Sequence, residues 1–182
     1  MKKNRSNFLR KLKVIENITI ELPISKSDFI KKFRANVEYS DLSFTPFEGF
    51  EALSSSKFEY KGNSNEQGFE IKKRRKLFDT NYSFARAKGT YKESFDKLII
   101  TAEINAFRKK MYFFLGFILL FDILIISSAV FSKSNELAFF IVPFILIHAL
   151  LMIGIPYFVM RRSVKRMIYD LERDFHYWVT KN

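Results

Sequence analysis

The chain has 182 residues, with 31 Lys and Arg against 19 Asp and Glu, 22 Phe and no cysteine. Lack of cysteine excludes disulfides, thiolate metal sites and a cysteine nucleophile, and fits a reducing compartment. Charge avoids one stretch: residues 1–110 carry 24 basic and 14 acidic groups, 111–160 carry one and two, and 161–182 carry six and three. That division leaves room for one soluble domain of about 110 residues, an apolar segment and a short tail.

Residues 1–13 are a cationic lead whose large apolar residues are Phe8, Leu9 and Leu12, the pattern of a frayed or surface-lying helix. No signal peptide is expected there, because the lead has no apolar core of about 7–15 residues. Residues 14–22 (VIENITIEL) alternate with period two until Pro23, which predicts a half-buried strand. Ser25 or Ser27 can cap a helix over 28–37, where Phe29, Ile30, Phe33 and Val37 recur at helical spacing and Asp28 occupies the first turn. Residues 38–56 are irregular. Phe44, Phe47 and Phe50 read first as a lid over the core, with a membrane-dipping loop or a pocket lining as alternatives. Residues 57–61 and 68–74 alternate on either side of a polar tip and predict a hairpin, and 82–91 with 97–104 predict a second pair around Phe95. The expected class is α+β: a small, mostly antiparallel, β-rich N-terminal domain of about five strands and one helix.

Two apolar runs follow, 111–131 and 137–160, of 21 and 24 residues, separated only by 132–136. A helix needs about 20 apolar residues to cross the hydrocarbon core. Backbone polar groups find no water there, so each run must be helical, and the short link makes them antiparallel neighbours in a transmembrane hairpin. Arg108, Lys109 and Lys110 flank its start and Arg161, Arg162, Lys165 and Arg166 its end, against Lys133 alone in the link. This asymmetry predicts a multi-pass protein with both termini cytoplasmic; the expected location is a bacterial inner membrane. Pro143 and Pro156 interrupt the second run and act on its shape. In 163–179, Val164, Met167, Ile168, Leu171, Phe175 and Trp178 share one stripe, with Lys165, Arg166, Asp170, Glu172, Arg173 and Asp174 off it. The expected organisation is a domain over 1–110, a membrane hairpin over 111–160, and a C-terminal amphipathic helix over 161–182 packed on the domain.

Asp122 and His148 stand eleven and twelve residues from the cytoplasmic ends of their runs, a depth of about 17 Å in each case. An isolated ionisable group at that depth costs at least about 2.5–3.5 kcal/mol, so the two are expected to pair. A structural tie between the helices is the first reading, a contact between copies in a homo-oligomer the second, and an ion or proton path the third. Lys72, Lys73, Arg74, Arg75 and Lys76 form the densest basic run. Together with Arg108, Lys109, Lys110, Arg161 and Arg162 they are the expected contacts for anionic lipid or ligand, each adding about 1 kcal/mol of attraction to an anionic leaflet. Strand alternation splits the run across two faces, so a solvated edge competes with that reading. Nucleic acid is disfavoured, since no binding module or stacking platform accompanies the charge. The sequence contains no nucleophile elbow, P-loop or dinucleotide fingerprint, and His148 and His176 lie 28 positions apart. No enzyme activity, cofactor or metal is therefore expected.

Tyr60, Gly62, Gly68, Phe69, Ile71, Arg74, Arg75, Asn81, Phe84, Gly89 and residues 99–101 form a pattern that resembles uncharacterised bacterial membrane-anchored proteins. In those, a hairpin of the form F-x-G … F-x-I-x-R precedes a strand pair ending in a glycine and an I-x-I run, beside a two-helix membrane segment. The resemblance spans roughly a quarter of the chain, and the proline usual in the middle strand region is absent. It implies a compact β-rich cytoplasmic domain coupled to a membrane hairpin, with no activity to carry over.

The expected function is a non-enzymatic binding or sensing module at the membrane face. The alternative is an oligomerising, membrane-active component that lines a shared interior with Asp122 and His148. Asp122→Leu separates the two in reconstituted vesicles. A binding module keeps its ligand affinity, whereas a membrane-active assembly loses both association and leak, read by dye release.

Overall fold

The structure is a computed structural model that describes residues 2–42, 56–74, 83–132 and 135–181. The Phe44, Phe47, Phe50 segment, Tyr82 and Lys133 lie outside the described residues. The chain divides into two compact units, one of Met1–Ala106 with Met160–Asn182, the other of Phe107–Val159.

In the first unit, α1 (Lys2–Lys11) leads into β1 (Ile15–Leu22), α2 (Lys26–Asn36) and β2 (Val37–Tyr39). Four more strands follow: β3 (Tyr60–Ser64), β4 (Gly68–Lys73), β5 (Arg86–Ser94) and β6 (Lys97–Asn105). They form one sheet of order β1-β6-β5-β4-β3-β2. Every pairing is antiparallel except β2 with β3. The unit is α+β with a mostly antiparallel sheet.

Local chemistry sets the limits of α2. The Ser25 hydroxyl oxygen accepts the Asp28 backbone N–H at 3.2 Å and donates to the Asp28 carboxylate at 2.8 Å, so one side chain serves the cap twice. That bond and the nearby Lys31 hold the exposed Asp28 carboxyl below its ordinary pKa. At the other end Val37 turns extended, and α2 passes into β2 with no loop. The β5–β6 turn is closed by pairing of Ser94 with Lys97, and Phe95 at its tip takes a φ of 50°.

Alternation places Leu98, Ile100, Ala102 and Ile104 of β6 on a buried face and Lys97, Thr101 and Glu103 on the opposite one. Register puts Ile20 and Leu22 of β1 and Ala87 of β5 on the same buried face, and Phe69 and Ile71 of β4 extend it. Against it lie Phe29, Ile30 and Phe33 of α2 and residues from the end of α4 (Asn135–Thr180). Val164, Met167, Leu171 and Phe175 are fully buried, each spaced three or four residues from the next. Phe175 meets Phe29 at 5.1 Å and Phe69 at 5.6 Å between ring centroids, and Trp178 meets Phe33 at 6.1 Å and Tyr60 at 6.0 Å, mostly edge to face. Each such side chain contributes about 1.5–3 kcal/mol through burial, so this aromatic cluster is the main stabilising feature of the unit.

The second unit contains α3 (Lys109–Ser132) and the first half of α4. Both helices are long and apolar enough to cross a membrane. Their apolar side chains point outward: Phe113 is 82% exposed, Phe139 76% and Leu150 71%.

Four elements differ from the sequence expectation, one being β5, which spans Arg86–Ser94 rather than 82–91. There are six strands rather than five, because β2 is three residues long and too short to show any period. The β3 strand lies three residues later than expected, since Val37, Glu38 and Tyr39 pair with Tyr60, Lys61 and Gly62. Finally, α4 is one helix of 46 residues rather than an apolar helix followed by a separate one. Residues 160–163 contain neither Gly nor Pro, so nothing there stops the helix.

Gly89 of β5 makes room for the core ring of Phe69. A Cβ at Gly89 falls 2.3 Å from Phe69 Cε1 and 3.2 Å from Ala102 Cβ. Gly89→Ala therefore overpacks the sheet face and is expected to destabilise the domain by about 1–3 kcal/mol. Thermal unfolding of the full chain in neutral detergent checks it, and an unchanged midpoint contradicts this packing.

Candidate functional site: a basic cleft

On α4, Arg162, Arg166, Tyr169 and Arg173 follow one another at intervals of three or four residues, and Lys165 and Asp170 flank that row. Helical geometry puts Arg162, Arg166, Tyr169 and Arg173 on one side, opposite the apolar stripe that faces the sheet, with Asp170 at the boundary between the two. Alternation along β4 sends Phe69, Ile71 and Lys73 to the sheet face that α4 covers, and Lys73 ends that row. Lys73, Arg162, Lys165, Arg166, Tyr169, Asp170 and Arg173 line an open cleft of about 520 Å³. Five cations thus face one carboxylate.

The carboxylate is nearly buried, Asp170 being 5% exposed. It accepts from Lys73 Nζ at 2.7 Å and lies 3.6 Å from Arg173 Nη2. Arg173 Nε donates to Asp174 at 2.7 Å, and the other Asp174 oxygen accepts from the Tyr60 hydroxyl at 2.5 Å. The Asp174 bond pushes the Arg173 pKa up, and burial, reinforced by Asp174, pushes that of the Tyr60 phenol up. Lys73, Asp170, Arg173, Asp174 and Tyr60 form a polar chain that joins sheet to helix. It consumes the acids and leaves most of the cations: among the described residues, no carboxylate pairs with Arg162, Lys165 or Arg166. The Tyr169 ring stands between them and Arg173, 64% exposed, with the Arg173 guanidinium 5.7 Å from its centroid.

Of the expected lipid or ligand contacts, the cleft unites Lys73 and Arg162. Lys72, 7% exposed, points to the other sheet face, and Arg74, 4% exposed, bonds Glu38. An anion reaches Arg74 only by displacing that carboxylate. Arg161 is half-buried beside the cleft residues in sequence, and Arg108 and Lys110 belong to the second unit. Arg75, Lys76 and the Lys109 side chain lie outside the described residues. Sequence reasoning treated Lys165 and Arg166 only as signals of orientation and missed Tyr169, Asp170 and Arg173. The i, i+4, i+7, i+11 spacing from Arg162 was the available signal.

In the second unit, His148 Nδ1 and Asp122 Oδ1 are 2.9 Å apart, joining α3 to α4. Both side chains are mostly covered, at 15% and 17% exposure, and Phe121 and Phe144 flank the imidazole at 5.1 and 6.0 Å. Two groups that each need a partner thus satisfy one another within an otherwise apolar pair of helices. Among the described residues, no cluster of three or more His, Cys, Asp or Glu is placed to hold a metal.

No protein-family model matches the chain, and neither a curated protein nor a solved structure matches it.

Asp170 is the linchpin of the cleft wall, and its removal tests the polar chain. Asp170→Ala leaves Lys73 without its partner and is expected to cost about 3–5 kcal/mol, whereas Lys73→Met combined with Asp170→Leu recovers most of that loss. Thermal unfolding of the two variants decides it. A mild effect of the single change contradicts the pairing.

Proposed function

We propose that the chain is a membrane-anchored, non-catalytic binding protein whose basic cleft takes a phosphate-bearing anion at the cytoplasmic face of a membrane. On this reading α3 and the apolar half of α4 form an antiparallel hairpin in the bilayer, with both chain ends on the side of the β-rich domain. Two features support insertion. Helices that belong to the core of a water-soluble protein bury their apolar side chains, and these expose Phe and Leu along their length. Each large apolar side chain left in water forgoes about 1.5–3 kcal/mol, which a lipid surround restores. Cations also gather on one side of the apolar runs, at Arg108, Lys109, Lys110, Arg161 and Arg162.

The observation that carries the binding role is the set Arg162, Lys165 and Arg166, which share one cleft and have no carboxylate partner among the described residues. They follow the apolar run directly in sequence, where an anionic leaflet or a soluble phosphate can meet them. A lipid head group and a free polyphosphate present the same chemistry, and Arg forks suit its oxygens. The Asp122–His148 contact favours the hairpin tie, since one satisfied pair holds two helices together without any pathway.

The test uses the full chain in nanodiscs of uncharged lipid, titrated calorimetrically with inorganic tripolyphosphate, beside a parallel set of discs containing anionic lipid. Tripolyphosphate should bind, weaken as salt rises, and compete with anionic lipid if the head group is the physiological source. Replacing Arg162, Lys165 and Arg166 together by Gln should lower affinity on the order of a hundredfold, at about 1 kcal/mol per cation. Unchanged affinity overturns the cleft as the site.

A further inference from the structure

A second cavity, of about 560 Å³, adjoins the cleft and shares Tyr169 and Arg173 with it. Its remaining lining is Thr19, Ile20 and Glu21 of β1 with Glu172 and His176 of α4. The two cavities have opposite chemistry. One is cationic, while the other offers two carboxylates, a hydroxyl and an imidazole. Both are of small-molecule size, for which sites of roughly 300–1,000 Å³ are usual.

We infer that the two cavities together take one nucleoside polyphosphate, its phosphates against Arg162, Lys165 and Arg166 and its base stacked on Tyr169 and extending into the second cavity. The inference deepens the anion-site reading and rests on it. Three features converge on this ligand class. An exposed aromatic ring beside a guanidinium is the element that holds a flat base, by stacking on the ring and by cation–π contact. The phosphates are steered to one side, because Glu172 repels them while the cleft attracts them, Glu21 being paired with Lys97 at 3.5 Å. A carboxylate only accepts hydrogen bonds, so Glu172 suits the exocyclic amino group of a base, which only donates. Packing does not account for Tyr169, which is 64% exposed, lies outside the apolar stripe and donates to none of the residues around it among the described hydrogen bonds. The pairing of a ring with unneutralised cations is what separates this site from a surface that only collects anions.

The full chain in uncharged nanodiscs, titrated with ATP and separately with inorganic tripolyphosphate, tests the assignment. ATP is expected to bind about tenfold more tightly, as stacking of one base provides. Tyr169→Ala should remove the ATP advantage, bringing the ratio of ATP to tripolyphosphate affinity to about one, while Tyr169→Phe keeps it. Because the ring is exposed, neither change should alter the far-ultraviolet circular dichroism. Equal affinities for ATP and tripolyphosphate, or an advantage that survives Tyr169→Ala, overturn the nucleotide assignment and leave the anion site standing. If tripolyphosphate and anionic lipid also fail to bind, both readings fall. A short single-stranded DNA that displaces ATP at concentrations far below those at which ATP binds overturns the assignment in favour of nucleic acid.

Discussion

Because α4 runs unbroken from Asn135 to Thr180, one backbone has to satisfy two surroundings, and its side chains are divided between them by position. From Leu137 to Val159 the residues are apolar on all sides but for His148, the composition a helix needs when lipid surrounds it. From Met160 onward the apolar residues contract to the stripe of Val164, Met167, Leu171, Phe175 and Trp178, which the sheet buries. Without that stripe the sheet face of Phe69, Ile71, Ile100 and Ile104 loses the helix that packs on it beside α2. A strand-rich domain with one bare face is not stable in water, so the closing half of α4 is part of the domain core rather than an appendage.

The same switch produces the cleft. When a helix narrows from all-round apolar to one-sided, the positions off the stripe become polar, and those that line the cleft are mostly cations. Lys73 arrives from β4 by alternation and needs a partner because its side chain is largely covered, which Asp170 supplies. Asp174 then engages Arg173 and Tyr60 in turn. Each acid on this part of the helix except Glu172 is thereby committed to structure, and Arg162, Lys165 and Arg166 are left without a carboxylate partner among the described residues. Function on this account arises from an imbalance, since the fold uses up its carboxylates before its cations.

Much of this was legible in the residues. The period-two run at 14–22, the cap at Ser25, the helix carrying Phe29 and Phe33, and the stripe from Val164 to Trp178 each follow from spacing alone, because every one is set by local periodicity. The short strand β2 was not legible, since three residues carry no period and its partner lies beyond residues 43–55. The boundary between two helices near residue 160 was misplaced, because a change of environment was read as a change of element. Asp122 and His148 could be matched by depth along two runs of similar length. The cleft could not, since it needs Lys73 and Asp170, nearly a hundred positions apart, to meet. Within α4 alone, however, the i, i+4, i+7, i+11 spacing from Arg162 is visible in the sequence.

The central claim is that two apolar helices traverse a bilayer and leave both chain ends on one side. The lack of native cysteine makes this directly measurable. Single cysteines placed by Ser6→Cys, Ser134→Cys and Lys181→Cys can be labelled with a membrane-impermeant maleimide in sealed vesicles of known orientation. Positions 6 and 181 are predicted to react from the cytoplasmic side and position 134 only from the other. Labelling of all three from one side, or of 6 and 181 from opposite sides, contradicts the claim.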